Sequence, residues 1–241
     1  MGSRQPPDGS LELVWVFGYN GHTARNNVKI NKDGHLVYYV AGVGVVHDIT
    51  LRKQTFYTGH NNDITSLAMT GDMHLAATGQ VGKDAYITVW DTSTRDPISV
   101  IRDGHTHRVS TLSFSSDKKL LASVGGPDHK QELMVWEWHK GRRLAYNIAF
   151  SGRVEEVEWE PGSNSRLVTC GHNHVRFWKL SGNVIQGGVL VTEVYSGGLL
   201  SGGKDGTIGV FDKQLNRVST VPGAPSLVYE VAGPIHSLAV H

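Results

Sequence analysis

The chain has 241 residues, 39% hydrophobic and 19% charged, with a formal net charge of +1. That balance excludes a global attraction to nucleic acid or to an anionic membrane surface. No run of about eighteen apolar residues is present, so no transmembrane helix is expected. The start MGSRQPPDGS lacks an apolar signal core and the lone Cys170 has no partner for an intrachain disulfide, which together point to a reducing, cytoplasmic setting.

In chain order, residues 1–10 read as a disordered leader, and LELVWVF (11–17) alternates as a strand does. GYNGHTARNN (18–27) is a turn-rich connection. A first group of four short strands follows within 27–57: VKI, LVYYV, VGVVHD and KQTFY, with Asp33-Gly34 turning the first hairpin. The second group, 58–102, opens on Gly59-His60 and runs through ITSLAM, HLAATGQ, YITVWD and ISVI. The third, 103–149, opens again on Gly104-His105 and runs through VSTLSF, KLLASVG, ELMVWEW and LAYNI. The fourth, 150–187, holds VEEVEW, RLVTCG and HVRFWKL, with Ser151-Gly152 where Gly-His would stand. The fifth, 188–222, holds VLVTEVY, LLSGG, TIGVFD and RVSTV, and PIHSLAV near the end reads as the first strand of another unit at 233–241. Groups of four strands recurring every 40–45 residues, opened by Gly-His and closed by Trp-Asp, are WD repeats. The fold class is therefore all-β: a WD40-type β-propeller of about five blades plus an extra strand, incomplete or irregularly closed.

The repeat assigns structural work to its polar residues. His60, Thr78, Asp84 and Trp90 are expected to hydrogen-bond in series, because buried donors and acceptors need partners. In the third blade His105, Ser123 and Trp136 take the same places; Lys130 stands at the Asp position, with Asp128 as the expected substitute. Trp178 marks the fourth blade, where His172 stands at the Asp position, and Ser201 with Asp205 marks the fifth, where Phe211 replaces Trp. The first blade has His47-Asp48 in place of Trp-Asp and lacks the full staple.

Other patterns favour ordinary roles over chemistry. Gly198, Gly203 and Lys204 have phosphate-loop spacing, but Asp205 follows the Lys where Ser or Thr is needed, and a strand follows where a helix is needed. The pairs His105/His107 and His172/His174 alternate along strands without the third and fourth converging ligands of a zinc site. Glu155, Glu156, Glu158 and Glu160 surround Trp159 as a solvated strand face. His139, Lys140, Arg142 and Arg143 form a small basic turn and are the candidates for partner contact. No catalytic set, metal site or cofactor site is expected, and a hydrolase or metal enzyme is the less favoured reading.

Three segments carry a family resemblance: LELVWVFGYNGHTARNNV, AATGQVGKDAYITVWD and VTCGHNHVRFWKLSG. They resemble the echinoderm microtubule-associated protein-like family, and LLSGGKDGTIGVFD and GPIHSLAVH resemble its propeller as well. The match covers nearly the whole chain after residue 10, and the Gly18–Tyr19-x-Gly21-x-x-x-Arg25-Asn26-Asn27 signature is its most specific part. The resemblance implies a tubulin-binding or microtubule-associated scaffold in the cytoplasm and cytoskeleton, with other proteins meeting the propeller faces; a general scaffold with a non-tubulin client is the alternative. It also marks departures. The hydrophobic motif that precedes the signature, a coiled-coil or basic leader, and the second propeller are expected to be missing. SGNVIQGG (181–188) is expected to join two blades where the family has a further whole blade, which makes the chain look like a shortened first propeller.

Overall fold

The computed structural model describes residues 9, 11–21, 24, 26–171, 174–188, 199–202 and 208–211. Four antiparallel groups of four strands follow one another along the chain. The first is β1 (Val28–Ile30), β2 (Leu36–Val40), β3 (Val43–Asp48) and β4 (Lys53–Tyr57), paired in that order. The second is β5 (Ile64–Met69), β6 (Leu75–Gly82), β7 (Ile87–Asp91) and β8 (Pro97–Ile101). The third is β9 (His107–Phe114), β10 (Leu121–Gly125), β11 (Gln131–Glu137) and β12 (Arg142–Phe150), with a 3₁₀ turn at Trp138–Lys140 before the last strand. The fourth is β13 (Val154–Trp159), β14 (Arg166–Gly171), β15 (His174–Ser181) and β16 (Val184–Gly188). A hairpin, β17 (Leu199–Gly202) and β18 (Ile208–Phe211), belongs to a fifth. The described residues form successive blades of a β-propeller.

The turns repeat as the strands do. Thr70 Oγ donates to Asp72 at 2.6 Å and accepts the Leu75 amide at 3.0 Å. Ser115 makes the same pair of bonds in the next blade, to Asp117 at 2.7 Å and from Leu120 at 3.0 Å. A short hydroxyl that binds its own backbone two to five residues on is what fixes such a turn. The residue that completes each turn, Met73 or Lys118, takes a positive φ, 57° or 61°.

Blades bury their faces against each other, so the core is a series of seams. Val37, Tyr39 and Tyr57 of the first blade pack on Ile64, Leu67 and Trp90 of the second. Ile87 and Val89 of the second meet Leu112, Met134 and Trp136 of the third. Leu133 and Val135 of the third meet Val157, Leu167 and Trp178 of the fourth. Tyr57 stacks flat on Trp90 across the first seam, ring centroids 4.8 Å apart. A short ladder, Val81 with Arg108 and Gly82 with His107, joins β6 to β9.

Two expectations change. Residues 11–17 form no strand: a single rung holds the segment, in which the Gln54 side chain mimics a peptide group. Val16 N–H donates to Gln54 Oε1 at 2.8 Å, and Gln54 Nε2 donates to the Val16 carbonyl at 3.2 Å. Trp15 sets its ring against the His47 edge at 5.2 Å. SGNVIQGG is not a bare connection either, because Val184–Gly188 pairs with β15 as the fourth strand of its blade. The leader apart from Gly9, the strands expected at 189–195 and 217–221 and the last strand at 234–240 lie outside the described residues.

Candidate functional site

The second blade contains a closed polar chain. Trp90 Nε1–H donates to Thr78 Oγ1 at 3.1 Å, and His60 Nε2 lies 2.8 Å from Thr78 Oγ1 and 2.9 Å from Thr88 Oγ1. Thr78 and Thr88 are cross-strand partners, which is why both hydroxyls reach one imidazole nitrogen. On the other side of the ring, His60 Nδ1 meets Gln80 Oε1 at 2.8 Å, and Gln80 Nε2 donates to Asn61 at 2.8 Å. An amide oxygen only accepts, so Nδ1 carries the proton and Nε2 accepts from a threonine. Burial pushes the His60 pKa down, and the bond to Gln80 opposes that shift. Tyr86 stacks on the His60 ring at 5.2 Å and donates to the Gly59 carbonyl at 2.9 Å.

Asp84 is outside this chain, which corrects the expected series. Its side chain is exposed on the β6–β7 turn. Gln80 sits two residues beyond Thr78 on the same strand face, and its longer side chain reaches Nδ1 from there. Gln80 and Thr88 were not singled out from sequence; the signal available was the facing Thr pair and a polar residue two positions along β6.

The third blade repeats the centre and loses the rim. His105 Nε2 lies 2.7 Å from Ser123 Oγ, and Trp136 Nε1–H donates to the same oxygen at 2.8 Å. Gly125 stands where Gln80 stands one blade earlier. A Cβ there would come within 2.7 Å of the His105 ring and 2.3 Å of the Arg108 carbonyl, so the histidine occupies the space a longer residue would need. His105 Nδ1 is buried without a partner, and burial pushes its pKa down to about 4. Asp128 does not substitute: it is exposed and pairs with Arg108, while Lys130 pairs with Glu132 at 3.1 Å. In the fourth blade Trp178 Nε1–H donates to Thr169 Oγ1 at 2.9 Å. Ser201 lies on β17 opposite Gly209, and Asp205, His172 and Lys204 lie outside the described residues.

In the basic turn one carboxylate, Glu137, is shared by two of the cations. Lys140 Nζ donates to Glu137 Oε1 at 3.2 Å and Arg142 takes Glu137 Oε2, holding that carboxyl below its usual pKa. Arg143 lies over the Tyr146 ring at 5.5 Å, and His139 is exposed beside Trp138. The glutamate run is more than a solvated face. Asn26 donates to Glu156, tying the segment before β1 to the fourth blade, and burial with Glu158 alongside pushes the Glu156 carboxyl up to about 7. Cys170, opposite Glu156 in the ladder, is pushed up to about 12 by burial and the neighbouring carboxylates, far from a reactive thiolate. Among the described residues no group of three or more His, Cys, Asp or Glu is arranged to hold a metal ion.

Comparison with known proteins follows the same lines. The family model of the echinoderm microtubule-associated protein first beta-propeller matches residues 53–240, and the HELP motif matches residues 6–45. The second match spans residues 11–17 and the signature after them, and corrects the expectation that the hydrophobic motif is missing there. The chain is similar to echinoderm microtubule-associated protein-like 1 of Mus musculus, 34% identical over 244 residues, covering 90% of this chain and 30% of that protein. It is similar to echinoderm microtubule-associated protein-like 2 of the same organism at 32%, covering 88% and 36%. The 77 kDa echinoderm microtubule-associated protein of Strongylocentrotus purpuratus is 28% identical, with 88% and 34% covered. The chain thus spans about a third of the length of these relatives. Among solved structures, the Myceliophteria thermophila Cps50 (Swd1) beta-propeller domain superposes with a TM-score of 0.57 at 17% identity, over 73% of this chain and 60% of that one, a likeness of fold.

Proposed function

The chain belongs to the echinoderm microtubule-associated protein family, and on that premise we propose that it is a non-enzymatic scaffold that binds tubulin or microtubules. The observation that carries the reading is the first-propeller match across residues 53–240. The blade staples serve it by rigidity: His60 with Thr78 and Trp90, and His105 with Ser123 and Trp136, lock strands of a blade to its opening loop, so that the loops are presented at fixed positions. Rigid presentation lowers the ordering cost of binding. The polar constellations are consumed by the fold, which supports a scaffold without turnover in the cytoplasm and on the cytoskeleton. With a net charge of +1, attraction to an acidic partner comes from local patches. A client other than tubulin is the second reading, favoured by the pairing of Glu137 with Lys140 and Arg142, which weakens the basic turn as an acidic-surface contact. Gel filtration of the chain mixed with unpolymerised tubulin tests the proposal. Co-elution that fades as salt rises supports it; separate elution at low salt excludes soluble tubulin as the client.

A further inference from the structure

The first strands of the second, third and fourth blades run side by side and are laced together. Thr65 Oγ1 of β5 donates to the Val109 carbonyl of β9 at 2.7 Å, and the Val157 amide of β13 donates to Thr111 Oγ1 of β9 at 3.3 Å. Asn26 stands at the other end of this arc, just before β1 of the first blade, yet its side chain donates to Glu156 of the fourth. With two blades standing between, that bond crosses the hollow in front of β5 and β9 instead of following a seam. Ala24 lies on the same crossing. It lines a cavity of about 80 Å³ with Thr65, Ser110, Val154 and Glu155, which come from three different blades, and it packs against the first seam. On the first-blade side Asn27 anchors the segment, accepting from Tyr19 and donating to the Asn20 carbonyl.

We propose that the Asn26–Glu156 bond is a pH-sensitive latch: a protonated Glu156 holds the segment across the hollow, and an ionised Glu156 releases it and uncovers the space behind Ala24. The groups around that carboxyl explain the sensitivity. Glu156 and Glu158 are two apart on β13, so both project from one face. Glu158 accepts the Ser113 hydroxyl of β9 at 2.8 Å, and Glu155 is held by Arg153 at 2.9 Å. From β1, Lys29 faces both Glu156 and Glu158; from β14, Cys170 stands opposite Glu156 as a neutral thiol. One cation facing two adjacent carboxylates leaves a charge uncompensated, and burial with Glu158 alongside raises the Glu156 pKa to about 7. Released to water, the same carboxyl returns to its ordinary value of 4.5. The latched state has the higher pKa, so its advantage is complete below the ordinary value and is lost as pH rises through about 7. A neutral carboxyl still offers an oxygen to Asn26; an ionised one gains by turning to water and takes that acceptor away.

The test is thermolysin cleavage of the whole chain within residues 18–27, at about pH 6 and about pH 8.5, each rate divided by that of a free peptide of the same sequence to remove the protease's own pH dependence. Cleavage of a transiently opened segment follows the population of the open form. With pKa values of about 7 latched and 4.5 released, the open population should rise about tenfold between those pH values. Glu156→Gln keeps an acceptor for Asn26 and cannot ionise, so its relative rate should stay low and flat. Asn26→Gly removes the donor and suits the positive φ of 49° there, and it should be cut faster at both pH values with the rise abolished. Glu137→Gln, an acid of the third blade, should behave as wild type. Glu158 is exposed, so Glu158→Gln keeps the test open should Glu156→Gln unfold; by removing the neighbouring charge it should shrink the rise. A flat wild-type ratio, a tenfold rise surviving in Glu156→Gln or undiminished in Glu158→Gln, or Asn26→Gly as resistant as wild type would each overturn the latch. An equal rise at cleavage sites in the other blades would show the whole fold loosening and would overturn it as well.

Discussion

Replacing Ser123 by alanine isolates the staple in the third blade. Ser123, Trp136 and His105 are 0%, 3% and 4% exposed, so nothing replaces a lost partner. One oxygen serves both neighbours, at 2.8 Å from Trp136 Nε1 and 2.7 Å from His105 Nε2. Its removal leaves two buried groups unpaired, and each such loss costs about 1–3 kcal/mol. His105 already has one orphaned nitrogen, so Ser123→Ala strips its ring of both partners. After partial relaxation the expected loss is about 2–4 kcal/mol, a fall in melting temperature of roughly 4–16 °C for a chain of this size. Asp84→Ala is the matched control and should stay within about 0.5 kcal/mol, as exposed substitutions do. Urea denaturation followed by tryptophan fluorescence reads both. A Ser123→Ala curve that overlies the wild type, or an Asp84→Ala loss as large, would refute the staple as drawn.

Three further outcomes follow from the same geometry. His105 accepts a proton only near pH 4 when folded but near 6.5 when unfolded, so stability should fall as pH drops from about 6.5 to 4, by up to about 3 kcal/mol, and a melt series on His105→Asn should show a shallower decline. Glu156 runs the other way: its carboxyl is protonated to about pH 7 when folded and loses its proton near 4.5 when unfolded, so its contribution is lost as pH rises between those values. Glu156→Gln should therefore melt later than wild type at pH 8, by an amount on the order of 1 kcal/mol, and an earlier melt there would contradict this. Gln54→Ala removes both bonds to Val16 and should cost about 1 kcal/mol while raising proteolytic cleavage within residues 11–17; an unchanged cleavage pattern would mean that Trp15 packing alone holds the segment.

Strand alternation, turn residues and the Gly-His to Trp-Asp spacing made the blades legible, because each is a local property of the chain. The centre of each staple was legible for the same reason: Thr78 and Ser123 occupy equivalent positions on equivalent strands. The rim was not. Whether Asp84 or Gln80 reaches His60 depends on where a turn directs its side chains, which spacing does not encode. Gly125 shows why one blade cannot be copied onto the next, since a glycine at the Gln80 position removes the partner and admits the ring. Residues 11–17 alternate like a strand, yet a strand needs a row of backbone partners, and here one side chain, Gln54, supplies the pairing. The pairing within the basic turn was not legible for a similar reason. Glu137 precedes it in sequence, and only the fold folds Lys140 and Arg142 back onto that carboxylate.

The most direct measurement of the central claim is pelleting of the purified 241-residue chain with polymerised microtubules over a range of microtubule and salt concentrations. A stapled first propeller acting as a tubulin-binding scaffold should move from supernatant to pellet in a saturable manner and return to the supernatant as salt rises. The Ser123→Ala variant should pellet less in proportion to its unfolded fraction, and Asp84→Ala should match wild type. A chain that is folded by thermal melt yet stays in the supernatant at low salt and saturating microtubules would contradict the account.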